Sequence, residues 1–104
     1  MALTPSIVVP ATAAGVYRIR GGDKRIVYIG EGMIRSRLAQ HRKSASAAGS
    51  PQGQALEAAQ PLTCSWVVSA VWEHHQRLEL EKDLIAAWVL ATGSPPAAQF
   101  CALG

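Results

Sequence analysis

The chain has 104 residues, of which 49% are hydrophobic, and it carries a formal net charge of +3 at pH 7. That length is typical of one domain, and a mean hydropathy of +0.12 excludes the low hydrophobicity of a disordered chain. No apolar run approaches the roughly 20 residues that a membrane helix needs, and no basic segment precedes the apolar residues near Met1 as in a signal peptide. We therefore expect one domain over residues 1–104, in a cytoplasmic protein without a membrane partner.

The N-terminal segment gives only a weak secondary-structure signal. Residues 6–9 are mostly apolar and lie between Pro5 and Pro10. Proline lacks the amide that a central strand needs. The segment is therefore predicted to be either a short edge strand or an extended lead-in.

A β-hairpin is predicted next. Gly15–Arg20 and Arg25–Gly30 are short runs rich in β-branched and aromatic residues. Between them, Gly21–Lys24 supplies two glycines and an aspartate, which tolerate the backbone angles of a tight reversal. A four-residue turn would place Tyr17 directly opposite Tyr28, on one face of the sheet, with Cβ atoms about 5 Å apart. The hairpin is therefore expected to hold two phenols side by side.

An amphipathic helix is predicted after the hairpin. Ile34, Leu38 and the aliphatic part of Arg42 recur at helical spacing. Arg37 and His41 are four residues apart, so they share one helix face, one turn from each other. The hairpin and this helix are therefore expected to bring two phenols, a guanidinium and an imidazole together.

The second half of the chain predicts a third strand and a long helix. Ser44–Gln52 has the composition of a loop, and Gly53–Gln60 that of a short helix ending before a proline. Leu62–Trp72 mixes apolar and small polar residues, as in a strand covered on both faces. His74–Leu90 is predicted to be helical, and its buried side is expected to carry Leu78, Leu84, Ile85, Trp88 and Val89.

Glycine and proline then end this helix, and Pro95–Gly104 is expected to lie along the domain as a tail. The two cysteines, Cys64 and Cys101, are too few for a zinc site and need no bridge in a cytosolic chain. We interpret Cys64 as a small buried hydrophobe.

The positive charge is concentrated in the first half of the chain. Eight of the ten Lys and Arg residues lie between Arg18 and Lys43, opposed there only by Asp23 and Glu31. Such a segment is either a solvated charged face or a surface that contacts the phosphates of a polyanion with salt-dependent affinity. Besides Arg37, the residues that would contact nucleic acid are Arg18, Arg20, Lys24, Arg25, Arg35, Arg42 and Lys43.

The hairpin and the helix after it carry motifs that resemble those of GIY-YIG nucleases. The tripeptides GVY at 15–17 and YIG at 28–30 are separated by ten residues and are followed by Arg37-x-x-x-His41. The resemblance implies an α/β (α+β) fold with a small three-stranded, mostly antiparallel sheet flanked by helices, which the predicted order of elements also suits. It further implies a metal-dependent endonuclease that hydrolyses DNA phosphodiester bonds.

The resemblance also assigns a metal ligand. The family places its metal-binding glutamate in the last helix, commonly before a Leu-Ile pair, and Glu81 matches that pattern. Glu81 and the phosphate oxygens of the substrate would then hold Mg²⁺ or Mn²⁺. The alternative for Glu81 is a salt bridge, for example to Arg77.

The remaining motif residues are expected to act on the phosphate and the water. Arg37 would clamp a phosphate oxygen with its planar guanidinium. Tyr17 is the expected general base and Tyr28 its hydrogen-bonding support, although the two roles are exchangeable. Positive charge from Arg37, His41 and the metal would lower the phenol pKa from its usual value of about 10. His41 would relay a proton or bind phosphate.

Two departures from the family pattern leave a second function open. Family members usually end the core with an asparagine after a proline, whereas this chain has Gln99 near that position. Glu31 follows the YIG tripeptide, where small hydroxyl residues or lysine are common, and an acid there is unfavourable beside a phosphate. The alternative is a nucleic-acid-binding module, catalytically weak or inactive, on the same scaffold. Specificity for DNA would come from loops such as Ser44–Gln60, from a homodimer or from a partner protein.

Overall fold

The computed structural model describes residues 1–5, 7–47 and 49–100. The described elements are β1 (Ala14–Arg20), β2 (Ile26–Met33), α1 (Ile34–Ala47), α2 (Pro51–Ala58), β3 (Thr63–Val68) and α3 (His74–Thr92). The strands form one antiparallel sheet in the order β2-β1-β3. The chain is therefore a small α+β fold, as predicted. Across the described residues, no helix combines the length and the apolar character that crossing a membrane requires.

The turn of the β1–β2 hairpin is longer than predicted. It spans residues 21–25, and the Gly21 amide donates a hydrogen bond to the Arg25 carbonyl. Lys24 takes a left-handed backbone angle, with φ of 68°, and its amide donates back to Gly21. The turn thus uses five residues instead of four, which moves the register by one residue.

A bulge in β2 moves the register by one further residue. Val27 has no partner in β1, so Tyr28 lies opposite Ile19 and Tyr17 lies opposite Gly30. The prediction that Tyr17 and Tyr28 are directly opposed was therefore wrong. Because side chains alternate between faces, a total shift of two residues leaves both phenols on the same face of the sheet.

Several element boundaries also differ from those predicted. β2 continues past Gly30 to Met33, and α1 begins at the next residue. α1 extends to Ala47, into the predicted loop. α2 begins two residues earlier than predicted, because the Ser50 hydroxyl caps it by accepting a hydrogen bond from the Gly53 amide. β3 ends at Val68, where the chain leaves the sheet before α3.

The two edges of the sheet are partly covered by the ends of the chain. At the β3 edge, the Cys64 amide donates to the Met1 carbonyl and the Leu3 amide to the Leu62 carbonyl. The residues that pair with β3 are thus Met1 and Leu3, which come before residues 6–9, where an edge strand was one of the two predictions. Residues 7–9 form no strand, and residue 6 lies outside the described residues.

At the β2 edge, the Ala98 amide donates to the Val27 carbonyl. The C-terminal tail therefore lies along the domain, as predicted, up to Phe100. Cys101 lies outside the described residues.

One hydrophobic core lies between the sheet and the helices α1 and α2. Its largest fully buried side chains are Ile19, Ile34 and Leu56, which come from β1, α1 and α2 respectively. Cys64 of β3 belongs to the same cluster, with 3% of its surface exposed, which confirms its interpretation as a buried hydrophobe. The core thus fixes the position of α1 relative to β1.

The long helix α3 packs differently, because none of its residues is fully buried. Leu84, which was predicted to be buried, is 41% exposed, and Leu78, Ile85, Trp88 and Val89 are only half-buried. The prediction of a buried stripe on α3 was therefore wrong. The helix lies mainly against β2, and between it and the rest of the sheet there is an open cleft of about 690 Å³.

Leucine substitutions in two helices test this account of the core. Leu56→Ala removes a side chain with 0% exposure and is expected to lower the free energy of unfolding by about 2–5 kcal/mol. Leu90→Ala, at a side chain with 88% exposure, is the matched control and should change it by less than about 0.5 kcal/mol. Denaturant titrations followed by circular dichroism measure both values. Equal losses would contradict the described core.

Candidate active site

A buried hydrogen bond joins β1 to α1 at the border of the core. Tyr17 is 2% exposed and His41 is 5% exposed. The Tyr17 hydroxyl lies 2.7 Å from His41 Nε2. The contact forms because Tyr17 points from β1 toward α1, while His41 lies on the buried side of α1 with Ile34 and Leu38. Within the described residues, His41 Nδ1 is buried without a hydrogen-bond partner.

Gly30 provides the space that the Tyr17 ring occupies. It is the direct cross-strand partner of Tyr17, and a Cβ atom at this position would overlap Cζ and the hydroxyl oxygen of Tyr17. Only glycine lacks this atom. Glycine at position 30 is therefore what allows the Tyr17 ring to lie across β2.

Tyr28 completes an aromatic cluster with these two residues. Its ring centroid lies 6.1 Å from that of Tyr17, with an angle of 24° between the planes. The centroid of the Tyr28 ring is 4.4 Å from that of His41. Tyr28 is half-buried whereas Tyr17 is buried, so Tyr28 stands closer to solvent.

The side chain of Arg37 lies beside the cluster. It crosses Gly32, since a Cβ atom on that glycine would lie 3.2 Å from Arg37 Nε. Gly32 also has a φ of +130°, which favours glycine. Arg37 is exposed and makes no hydrogen bond or ion pair with the described part of the chain. It is therefore available to an anion.

Glu81 brings a carboxylate from α3 to the same region. It is half-buried, and burial, followed by the nearby Glu31 carboxylate, raises its pKa. Hydrogen bonding from the Glu31 backbone amide and the charges of Arg37 and Lys82 act in the opposite direction. Among the described residues Glu81 forms no salt bridge.

The alternative of a salt bridge between Glu81 and Arg77 is wrong. Arg77 Nε lies 3.3 Å from Oε2 of Glu31 instead, and Arg77 Nη1 donates to the Trp72 carbonyl. The second oxygen of Glu31, Oε1, lies 3.2 Å from His74 Nε2. Glu31, expected to be an unfavourable acid, is thus a buried and paired side chain.

The phenols do not ionise easily in this environment. Burial raises the pKa of Tyr17 well above its usual value; Tyr28, Glu81 and Glu31 raise it further, and only Arg37 lowers it. Burial and Glu81 likewise raise the pKa of Tyr28. Arg37 acts in the predicted direction, but the expectation that positive charge lowers the phenol pKa is not met by the protein's own residues, because loss of hydration dominates.

His41 is neutral near pH 7 and supplies no positive charge. Burial, followed by the charge of Arg37, lowers the pKa of His41 to about 4, and the nearby side-chain amide of Gln52 offsets only part of this shift. Gln52 itself is buried, and its amide Nε2 lies 3.3 Å from the Ala98 carbonyl. Sequence reasoning missed Gln52, which falls in a predicted loop and carries no motif.

Gln99 also has a defined position, at the edge of β2. Its side-chain Oε1 accepts from the Ile29 amide at 2.8 Å, and its Nε2 donates to the Ile29 carbonyl at 2.7 Å. The side chain thus pairs with β2 as a strand would. This contact supports the backbone between Tyr28 and Gly30.

Three of the predicted nucleic-acid contacts have partners within the protein. Arg18 Nε donates to Ser65 Oγ, and Arg20 Nη1 donates to the carbonyl of Lys24. The Arg25 guanidinium lies 5.6 Å from the centroid of the Trp88 ring. These cations lie on the hairpin.

The basic residues of α1 lie on more than one side of the helix. Arg35 and Arg42 are seven residues apart, so they lie on the same flank of α1. A helix rotates by about 100° per residue, which places Arg37 on the opposite flank, with the buried side between them. Lys43 is exposed on the outer face. The predicted cations are therefore spread over different surfaces, and Arg37 is the one placed at the aromatic cluster.

The donor groups near Glu81 determine which kind of metal ion would suit the site. Within the described residues no three His, Cys, Asp or Glu side chains are grouped to hold one. Mg²⁺ commonly binds through one or two carboxylates, waters and substrate phosphates. Glu81, a half-buried carboxylate without a cationic partner among the described residues, fits that donor set. Glu31 does not, because Arg77 and His74 occupy it.

A methyl group at position 30 tests the packing of the Tyr17 ring. Gly30→Ala is expected to displace the phenol and to lower the free energy of unfolding by about 1–3 kcal/mol, as overpacking does. Gly49→Ala is the control, because a Cβ atom there meets nothing within 4 Å. Thermal melts give the stability, and NMR gives the ring shifts of Tyr17 and His41. Unchanged shifts in Gly30→Ala would contradict the described contact.

The low pKa of His41 predicts that acid destabilises the fold. The unfolded imidazole binds a proton near pH 6.5, whereas the folded one binds it only near pH 4, so between these values the unfolded state holds more protons. The free energy of unfolding therefore keeps the whole contribution of neutral His41 above pH 6.5. It decreases by up to about 3 kcal/mol as the pH falls to 4. Denaturant titrations of the parent and His41→Gln over this range measure the effect. A variant with the same pH slope as the parent would contradict it.

Similarity to known proteins does not extend this picture. Comparisons with models of known protein families, with curated proteins and with solved structures find no match. A functional assignment therefore depends on the motif pattern and on the arrangement of Tyr17, Tyr28, Arg37, His41 and Glu81.

Proposed function

We propose that this protein is a metal-dependent endonuclease of the GIY-YIG type that hydrolyses DNA phosphodiester bonds. The observation that carries the proposal is the meeting of three features beside the hairpin. These are the buried hydrogen bond between Tyr17 and His41, the exposed guanidinium of Arg37, and the half-buried carboxylate of Glu81. Hydrolysis of a phosphodiester needs a proton acceptor, an anion clamp and a metal ligand, and these groups match those needs.

Glu81 is the residue that would hold the metal. Its carboxylate pays a hydration cost without a cationic partner, and a divalent cation would remove that cost. Bound Mg²⁺ or Mn²⁺ would polarise the scissile phosphate and stabilise the leaving oxygen. Waters and phosphate oxygens would complete the coordination.

Arg37 would bind the phosphate. Its guanidinium is exposed and unpaired within the described residues, and its planar fork suits two phosphate oxygens. The Arg37 charge would also offset the negative charge that builds up as water attacks phosphorus.

Tyr17 and His41 would together accept the proton of the attacking water. With its ring proton on Nδ1, neutral His41 accepts the Tyr17 hydroxyl proton at Nε2, which leaves the lone pairs of the Tyr17 oxygen free. As the water oxygen bonds to phosphorus and the bond from phosphorus to the leaving oxygen breaks, the water proton passes to Tyr17 and the Tyr17 proton passes to His41. The leaving oxygen takes the electron pair of the broken bond, and a bound metal ion would stabilise its negative charge. This relay avoids a free phenolate, which the raised pKa of Tyr17 disfavours.

The imidazolium formed in this way is costly while the site is empty, because burial and Arg37 lower the pKa of His41 to about 4. The added negative charge on the phosphate in the transition state would reduce that cost. The relay thus operates when substrate is bound. In this scheme Tyr28 packs against both rings and holds them in place.

A second candidate is a nucleic-acid-binding module that does not cleave. The deep burial of Tyr17, with 2% of its surface exposed, favours this candidate because an attacking water must reach the phenol oxygen. The two candidates differ in metal dependence: binding through phosphates would weaken with salt but would not require Mg²⁺.

Plasmid nicking separates these candidates. Supercoiled DNA incubated with protein and Mg²⁺ is expected to be nicked, and chelation of the metal is expected to stop the reaction. Glu81→Ala should lower the rate by about 100-fold or more, as loss of a key metal ligand does. Glu79→Ala, at an exposed acid of the same helix, is the matched control and should retain the parent rate.

The outcomes are distinct. A salt-sensitive gel shift without nicking would support the binding module. Nicking that persists in Glu81→Ala would contradict the proposed metal site. Neither nicking nor binding would contradict both candidates.

A further inference from the structure

We propose that the ion pair between Glu31 and Arg77 positions Glu81, so that Glu31 acts as a positioning residue for the metal site. The consequence for the metal rests on the proposed function. The contacts themselves involve only residues of this chain, so they are testable without DNA.

The packing of α3 leaves its orientation weakly determined. None of its residues is fully buried, and an open cleft separates part of the helix from β1 and β3. Apolar side chains that are only half-buried lose few packing contacts when a helix rotates or slides slightly, so they restrict such movements weakly. A directional contact is therefore needed to fix where Glu81 points.

Glu31 supplies that contact from β2. It is 9% exposed, and its two oxygens meet different residues of α3: Oε1 lies 3.2 Å from His74 Nε2, and Oε2 lies 3.3 Å from Arg77 Nε. Arg77 is itself only 16% exposed and is tied to the Trp72 carbonyl. His74 and Arg77 are three residues apart, so they lie on the same face of the helix, and contacts to both restrict its rotation about its axis.

The contact of Glu31 with Arg77 also bears on the orientation of Glu81. Arg77 and Glu81 are four residues apart, so they lie one above the other on one face of α3. The Glu31 side chain meets the first of them, so this contact determines which side of α3 faces β2. The contacts of Glu31 with His74 and Arg77 therefore fix the face of the helix that carries Glu81.

The ion pair also reduces repulsion within the site. The Glu31 carboxylate acts on Glu81 as a like charge, and Arg77 offsets that charge where the two acids approach. Loss of Arg77 would both free α3 and leave Glu31 to repel Glu81, whereas loss of the Glu31 charge would free α3 alone. An acid after the YIG tripeptide is therefore suited to this chain because α3 carries its partner.

The direct test compares two Glu→Gln variants by NMR, without DNA. In Glu31→Gln, hydrogen exchange of the residue 31 amide is expected to accelerate by about 10-fold or more, because local opening of α3 exposes it. Binding of Mn²⁺, followed by line broadening of nearby amides, should weaken by about 10–100-fold, as for other residues that support a metal ligand. Glu79→Gln, at an exposed acid of α3, is the control and should match the parent in both readouts.

A second variant distinguishes positioning from general stability. Arg77→Lys keeps a cation opposite Glu31 but loses the planar fork that also reaches the Trp72 carbonyl, so both readouts are expected to lie between those of the parent and Glu31→Gln. Behaviour of Glu31→Gln like that of Glu79→Gln would overturn the proposal. Equal acceleration of the Ile19 amide of β1 and the residue 31 amide would overturn it too, since the pair would then only stabilise the whole fold. Failure of the parent to bind Mn²⁺ would count against the proposed function, and the exchange of the residue 31 amide would still decide the positioning.

Discussion

The hydrogen bond between Tyr17 and His41 is the contact on which the rest of the site depends. It joins the central strand to α1 where water is excluded, and its length of 2.7 Å is possible only because Gly30 has no side chain. It also sets the place of Arg37, which lies one helical turn before His41 on the same side of α1. A single buried contact thus fixes a phenol, an imidazole and a guanidinium relative to one another.

Burial determines the charges of the site more than neighbouring ions do. It keeps Tyr17 protonated and His41 neutral, and it raises the pKa of Glu81. The result is a neutral pair with an unpaired cation on one side and an unpaired acid on the other. Such an arrangement is incomplete in the free protein, because both charged groups lack partners among the described residues. A phosphate and a divalent cation would complete it, which connects the geometry to the proposed reaction.

Local patterns predicted the parts of this site that depend on short-range spacing. The hairpin followed from its β-rich runs, and the shared helix face of Arg37 and His41 followed from four-residue spacing. The same patterns did not predict the register of β1 against β2, because it depends on a five-residue turn and on the bulge at Val27. The packing of α3 was also mispredicted, since its periodicity shows which side is apolar but not how closely the sheet approaches. The pairing of Glu31 with Arg77 joins residues distant in sequence, so no local pattern predicts it.

In the proposed reaction, the phosphate, the metal and the water would meet between Arg37, Glu81 and Tyr17. A crystal structure of the protein with uncleavable DNA and Mn²⁺, using the anomalous scattering of manganese, tests it most directly. We predict one strong anomalous peak at the Glu81 carboxylate, with a phosphate that contacts both this ion and Arg37 and faces the Tyr17 hydroxyl. DNA bound on another surface, or manganese bound away from Glu81, would contradict the account.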